Sequence, residues 1–290
     1  MRWCIAIPNQ TFEAMEKIDS HQHFWHYDTK RFPWIGEGLE ILASDFLPDQ
    51  LHSLIQANEV VGTVAVQAVP EDAETEFLLD LAEEYPFILG VVGWIDLTSD
   101  QLTDKLHAYQ PFPKLKGFRH LLQDETDPKF ILKPAFQRGL AKIFEAGYSY
   151  DLLVLPHQLE GVIHTVENFP KGRFVLDHLA KPSIREREIS RWKDKIIELS
   201  SYPQVSCKVS GMVTEADWQN WEQTDFYPYL DVVMDAFGED RLLFGSDWPV
   251  CKLAASYQQV CEILESYLEG KPEAFQNKVW YENARKFYRL

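Results

Sequence analysis

Eight short apolar runs, rich in β-branched and aromatic residues, recur along the chain at about 18–25, 61–69, 88–96, 115–122, 149–156, 173–180, 205–211 and 241–249. Runs of this length and composition suit parallel strands buried on both faces. Between most of them lie stretches with one polar and one apolar face, at 49–58, 74–84, 134–146, 158–168, 188–200 and 227–237, and another at 256–267 follows the last run. Strand and helix alternating in this way predict an α/β fold, a single distorted (β/α)8 TIM-like barrel. A doubly wound open sheet would share the alternation, but no Gly-x-Gly-x-x-Gly follows any of the runs. The chain has 290 residues, 46% of them hydrophobic, enough for the core of one large barrel. With no internal repeat and no Pro- or Ser-rich linker, it reads as one domain over 15–290, preceded by an extension at 1–14.

Composition narrows the partners. A net charge of −17 argues against nucleic acid and anionic membrane surfaces. No apolar run reaches the roughly 18 residues of a membrane span. The four cysteines, Cys4, Cys207, Cys251 and Cys261, form no Cys-x-x-Cys pair, which favours a reduced, cytoplasmic protein. A small molecule is the expected partner, with homo-oligomerisation left open.

In such a barrel the chemistry sits where strands run into loops at the C-terminal face, and polar residues gather there in this sequence. The first run ends in His21-Gln22-His23, whose i, i+2 spacing puts both imidazoles on one side of a strand. The second carries Gln67, the third Trp94 and the fourth Arg119-His120, of which only one can face inward. The fifth leads into His157, the sixth into Asp177-His178, and the eighth into Asp247-Trp248. A lone histidine after a strand is more often structural, but the paired spacing of His21 and His23 reverses those odds. A carboxylate such as Asp247 at a buried strand end requires a cation or a shared proton. Lys181 and Lys208 are open between substrate oxygens and ordinary salt bridges. Trp25, Trp94 and Trp248 could stack on the C–H face of a sugar ring, and core packing explains any one of them equally well. The segment Trp25–Ser44 is expected to be a loop over the barrel mouth.

Taken together, His21-Gln22-His23-Phe24-Trp25, Gly117-Phe118-Arg119-His120, Asp177-His178-Leu179-Ala180-Lys181-Pro182, Ser210-Gly211-Met212-Val213-Thr214-Glu215-Ala216-Asp217-Trp218 and Gly245-Ser246-Asp247-Trp248-Pro249 resemble the lactonase branch of the amidohydrolase superfamily. The resemblance runs from about Ile18 to the C-terminus and implies hydrolysis of a cyclic ester, a sugar-acid lactone. It makes Asp247 the base that activates water, with His178, His21 and His23 holding a metal or polarising the carbonyl. Arg119, Gln67, Trp25, Trp94 and Trp248 are assigned to the substrate. One divalent ion, zinc or manganese, would be held by His21, His23, His157 and Asp247, and a metal-independent site stays open beside it. The superfamily's carboxylated lysine on strand four has no secure counterpart, because Lys116 falls on the wrong side of Arg119.

Two other readings compete. A metal-dependent decarboxylase of an aromatic or enol acid would use a similar His-x-His and Asp, although the Asp-Trp-Pro ending and the Trp-rich mouth lean toward a sugar. A catalytically inactive binding barrel would have no chemical reason to keep Asp247 together with His21, His23 and His178. The absence of a Gly-x-Ser-x-Gly elbow removes the need for a serine nucleophile.

Overall fold

Each apolar run supplies one parallel strand, and the strands pair in chain order: β1 (Lys17–Gln22), β2 (Val60–Val66), β3 (Ile88–Gly93), β4 (Leu115–His120), β5 (Ser149–Leu152), β6 (Phe174–Leu176), β7 (Val205–Val209) and β8 (Leu242–Phe244). The structure, a computed structural model, describes residues 15–290, so the extension expected at 1–14 lies outside the described residues. Helices α1 (Pro48–Ala57), α2 (Asp72–Glu84), α3 (Leu102–Tyr109), α4 (Pro134–Glu145), α5 (Leu159–Asn168), α6 (Ser190–Ser200), α7 (Gln223–Phe237) and α8 (Tyr257–Leu268) connect or follow them, completing the (β/α)8 barrel. Among the described residues no helix is long and apolar enough to cross a membrane.

The barrel closes where β1 meets the end of β8. Asp247 N–H donates to the His21 carbonyl (2.8 Å) and His23 N–H to the Trp248 carbonyl (2.7 Å). Beneath these bonds the buried Asp19 carboxylate accepts from Ser246 N–H (2.9 Å), Ser246 Oγ (2.6 Å) and Tyr257 OH (3.1 Å). Closure therefore carries the His-x-His segment and Asp247 to the same rim.

Two apolar layers hold the fold. The larger fills the space between strands and helices. The smaller gathers Ile18, Val64, Val66, Val92, Val175 and Leu243 with Ala284 and Tyr288 of the C-terminal helix (Asn283–Tyr288), filling the barrel's interior. Above it the inward positions turn charged, with Arg119 on β4, Asp151 on β5 and Lys208 on β7 all buried.

Several strands end earlier than the sequence suggests: β5 stops at Leu152, β6 at Leu176 and β8 at Phe244. The chain leaves the extended conformation where it must turn polar side chains toward the rim. After β6, His178, Leu179, Ala180 and Lys181 all adopt the left-handed region (φ 53°, 54°, 58° and 51°). Each such residue costs roughly 1–2 kcal/mol, so the turn needs external support. Trp192 of α6 provides some by donating its indole N–H to the Leu179 carbonyl at 2.7 Å.

Candidate active site

His21, His23, His178 and Asp247 converge at the rim, all buried. Asp247 Oδ1 lies 3.3 Å from His23 Nε2, 3.8 Å from His178 Nε2 and 3.9 Å from His21 Nε2. Burial alone would raise the Asp247 carboxyl, but His178, His23 and His21 hold it well below the usual carboxylate range, so it stays ionised. Burial and the Lys208 ammonium push His21 far below the ordinary imidazole value, and burial lowers His178 to about 4. At neutral pH the cluster is thus a carboxylate among imidazoles, two of which are held neutral.

Backbone and neighbours aim each ring. His23 Nδ1–H donates to the Val66 carbonyl (2.7 Å), leaving its Nε2 lone pair toward the cluster. His178 Nδ1 bonds Ser210 Oγ (2.9 Å), and its ring lies against Gly211. A Cβ on Gly211 would fall 2.5 Å from His178 Nδ1, and the backbone there is left-handed (φ 63°), so the position requires glycine twice over.

Arg119 crosses the barrel floor. Its Nη1 lies 3.1 Å from Asp177 Oδ2 and 3.2 Å from His21 Nε2, and its Nη2 bonds the Gln67 carbonyl. Gln67 returns an amide N–H to the Arg119 carbonyl (3.2 Å) and is wholly buried, so it supports the guanidinium rather than facing a ligand. His120 points away, bonded to Glu125 (2.8 Å) and stacked on Phe130.

Below the imidazoles lies a charged network that the sequence reading did not assemble. Lys208 Nζ contacts Asp151 Oδ2 (2.6 Å), Asp177 Oδ1 (3.0 Å) and His21 Nδ1 (3.0 Å), and Tyr288 OH donates to Asp151 Oδ2 (2.7 Å). Against the burial that would raise it, Lys208, His21 and Arg119 hold Asp177 well below the usual range. The available signal was a lone charge inside each short apolar strand, Asp151 in Ser149–Leu152 and Lys208 in Val205–Val209. Alternation sends such residues into the barrel, where opposite charges must find one another.

Above the cluster opens a cleft of about 410 Å³ lined by His23, Arg119, His178, Asp247, Trp25, Trp34, Trp218, Lys181 and Glu215 among others. Lys181 pairs with Glu215 (3.1 Å) on its wall. Of the aromatic residues expected there, only Trp25 lines it, and its ring is packed against Phe32 and Phe46. Trp248 is buried between Phe24 and Phe46, because its neighbour Asp247 takes the inward direction. Trp94 is not part of the wall; its backbone N–H and carbonyl are both tied to Thr75 Oγ1 of α2 at 2.8 Å. The exposed rings at the mouth are Trp34 and Trp218.

His157 departs from its expected role as a ligand. It sits exposed in a turn, Pro156–Gln158, five residues beyond the true end of β5, while Gln158 goes inward to bond the Leu122 carbonyl (2.6 Å). Among the described residues two groups of ligand atoms lie close enough to hold an ion: His21, Asp177 and His178, and the group that includes the proposed base, His21, His23 and Asp247. The chemistry of the second fits a divalent cation. His23 Nε2 lies 3.3 Å from the Asp247 carboxylate, so a divalent cation between them would be met by both, and N/O donors of this kind suit zinc.

The chain is similar to known proteins over most of its length. An amidohydrolase family profile matches residues 18–290. An L-fucono-1,5-lactonase of Burkholderia multivorans is 42% identical over 285 residues, covering 94% of this chain and 96% of that protein. A second L-fucono-1,5-lactonase, from Burkholderia ambifaria, is 34% identical over 280 residues, covering 94% and 96%. A crystal structure of an amidohydrolase from Burkholderia multivorans with bound zinc superposes with a TM-score of 0.91 at 43% identity, covering 94% of this chain and 99% of that one.

Proposed function

The chain belongs to the amidohydrolase family, and from that premise we propose that it hydrolyses the lactone of a sugar acid, with Asp247 activating the attacking water. The observation that carries the reading is an ionised carboxylate, buried among imidazoles, at the floor of a cleft of about 410 Å³. The two relatives named L-fucono-1,5-lactonase support a sugar lactone as the substrate class.

Asp247 accepts a proton from water as the oxygen attacks the lactone carbonyl carbon. The negative charge that develops on the carbonyl oxygen is met by the Arg119 guanidinium, which faces the cleft from a site shielded from water. His178, neutral and fixed by Ser210, offers a second polar contact at the same floor. When the tetrahedral centre collapses, the ring C–O bond breaks and the departing alkoxide takes up the proton that Asp247 received. The product is an open-chain hydroxy acid. A divalent ion held by His21, His23 and Asp247 would supply Lewis acidity to the carbonyl or the water.

Proton release from a panel of aldonolactones in weakly buffered indicator tests the proposal, with resorcylic-type acids assayed in parallel for carbon dioxide. Lactone turnover with no decarboxylation is expected. Carbon dioxide release without lactone opening would replace the reading with a decarboxylase.

A further inference from the structure

His21 is held by more hydrogen-bond donors than a neutral imidazole can satisfy. Lys208 Nζ stands 3.0 Å from its Nδ1, and Arg119 Nη1 stands 3.2 Å from its Nε2. Lysine and arginine only donate, whereas a neutral ring has one accepting nitrogen. The remaining neighbours decide which bond is made. His23 Nε2 lies 3.2 Å from His21 Nε2 and can only accept while His23 is neutral, because its Nδ1–H is committed to Val66. Asp177 Oδ1, also only an acceptor, lies 3.4 Å from His21 Nδ1.

Two tautomers follow. With the proton on Nε2, His21 accepts from Lys208 and donates to His23; its mismatches are Arg119, which still has Asp177 Oδ2 at 3.1 Å, and Asp177 Oδ1, which lies 3.4 Å from the unprotonated Nδ1. With the proton on Nδ1, the ring faces the Lys208 donors at 3.0 Å and sets its lone pair against that of His23. That form has only the longer contact to Asp177 and the one to Arg119 in its favour. A cation between the two Nε2 atoms reverses the balance, since it needs both lone pairs. Asp177 Oδ1 is then the natural acceptor for His21 Nδ1–H: it is buried and, despite its closeness to Lys208, accepts no aligned hydrogen bond.

We propose that Lys208 is a positioning residue that selects the tautomer of His21, with Asp177 as the competing partner, so that the same ring is an N–H donor in the metal-free site and a ligand in the metal-bound one. The inference rests on the reading of His21, His23 and Asp247 as ion ligands. Lys208 touches no substrate; it acts through His21.

The test is heteronuclear NMR on ¹⁵N-histidine-labelled full-length protein, stripped by chelator and then reloaded with zinc. The spectra are taken at about pH 8, above the ordinary imidazole range, where the ¹⁵N shifts themselves distinguish a neutral ring from a protonated one. Protein with His21→Gln assigns the His21 signals. His21 is expected as Nε2–H without metal and as Nδ1–H with zinc. Finding Nδ1–H already in the stripped protein overturns the proposal. Lys208→Met should give Nδ1–H without zinc and tighten zinc binding about tenfold, whereas Lys208→Arg should keep Nε2–H. If Lys208→Met does not fold, the wild-type pair of spectra and Lys208→Arg decide alone. Elemental analysis separates the premise from the inference: failure to bind zinc overturns the ligand reading and the metal-bound half of the proposal, while the metal-free tautomer still judges Lys208.

Discussion

The proposed mechanism concentrates the chemistry in one carboxylate, Asp247. Asp247→Asn keeps the shape but removes the proton acceptor, so kcat should fall by about 10²–10⁴-fold with little change in melting temperature. Near-normal turnover would remove Asp247 from the mechanism. At His157 the expectation is the opposite. Its exposed position predicts that His157→Ala leaves zinc stoichiometry and kcat unchanged and shifts stability by no more than about 0.5 kcal/mol. A loss of bound zinc would restore it as a ligand. Much of the candidate site was legible in the sequence because spacing and strand parity act locally: His21 and His23 lie two apart, and Asp247 closes an apolar run. Asp151, Asp177 and Lys208 were harder to read because their meaning is mutual. Each looks like an isolated charge until the barrel brings them within 2.6–3.0 Å.

Elements explain where sequence reading slipped. The strands were read too long because apolar character continues past the last ladder bond, as in Leu153-Val154-Leu155 after β5, and this is what displaced His157. Helix α3 was missed because it spans eight residues and buries only Leu102, Leu106 and Tyr109, too short a stretch for periodicity to stand out. Trp34 and Trp218 are 42% and 39% exposed beside the cleft, while Trp25 is 1% exposed and packed among aromatics. Trp34→Ala should therefore raise KM several-fold with nearly unchanged thermal stability. Trp25→Ala should instead cost about 3–5 kcal/mol of stability. Michaelis kinetics beside thermal unfolding separates them, and the reverse pattern would make Trp25 the substrate platform.

Over the whole molecule, buried acids set the response to pH. Glu74 of α2 bonds Ala68 N–H (3.0 Å) and Arg31 of the mouth loop (3.1 Å), and burial raises its carboxyl from 4.5 to about 7. A group raised on folding contributes stability that is full below its unfolded pKa and is lost as pH climbs through the folded one. The stability advantage of wild type over Glu74→Gln should thus shrink between pH 4.5 and about 7, by up to roughly 3 kcal/mol. Melting curves of both proteins across that range provide the check; an advantage that grows with pH would mean that Arg31 outweighs burial. The seam that closes the barrel has a consequence in time. Asp19 finds Ser246 only 227 residues later along the chain, which at ribosomal speed is roughly 10–45 s of synthesis. Throughout that interval the first strand has an unsealed edge and a carboxylate without its partners, so a newborn chain waits with its earliest strand exposed to chaperones and to its neighbours until nearly all of the remainder has been made.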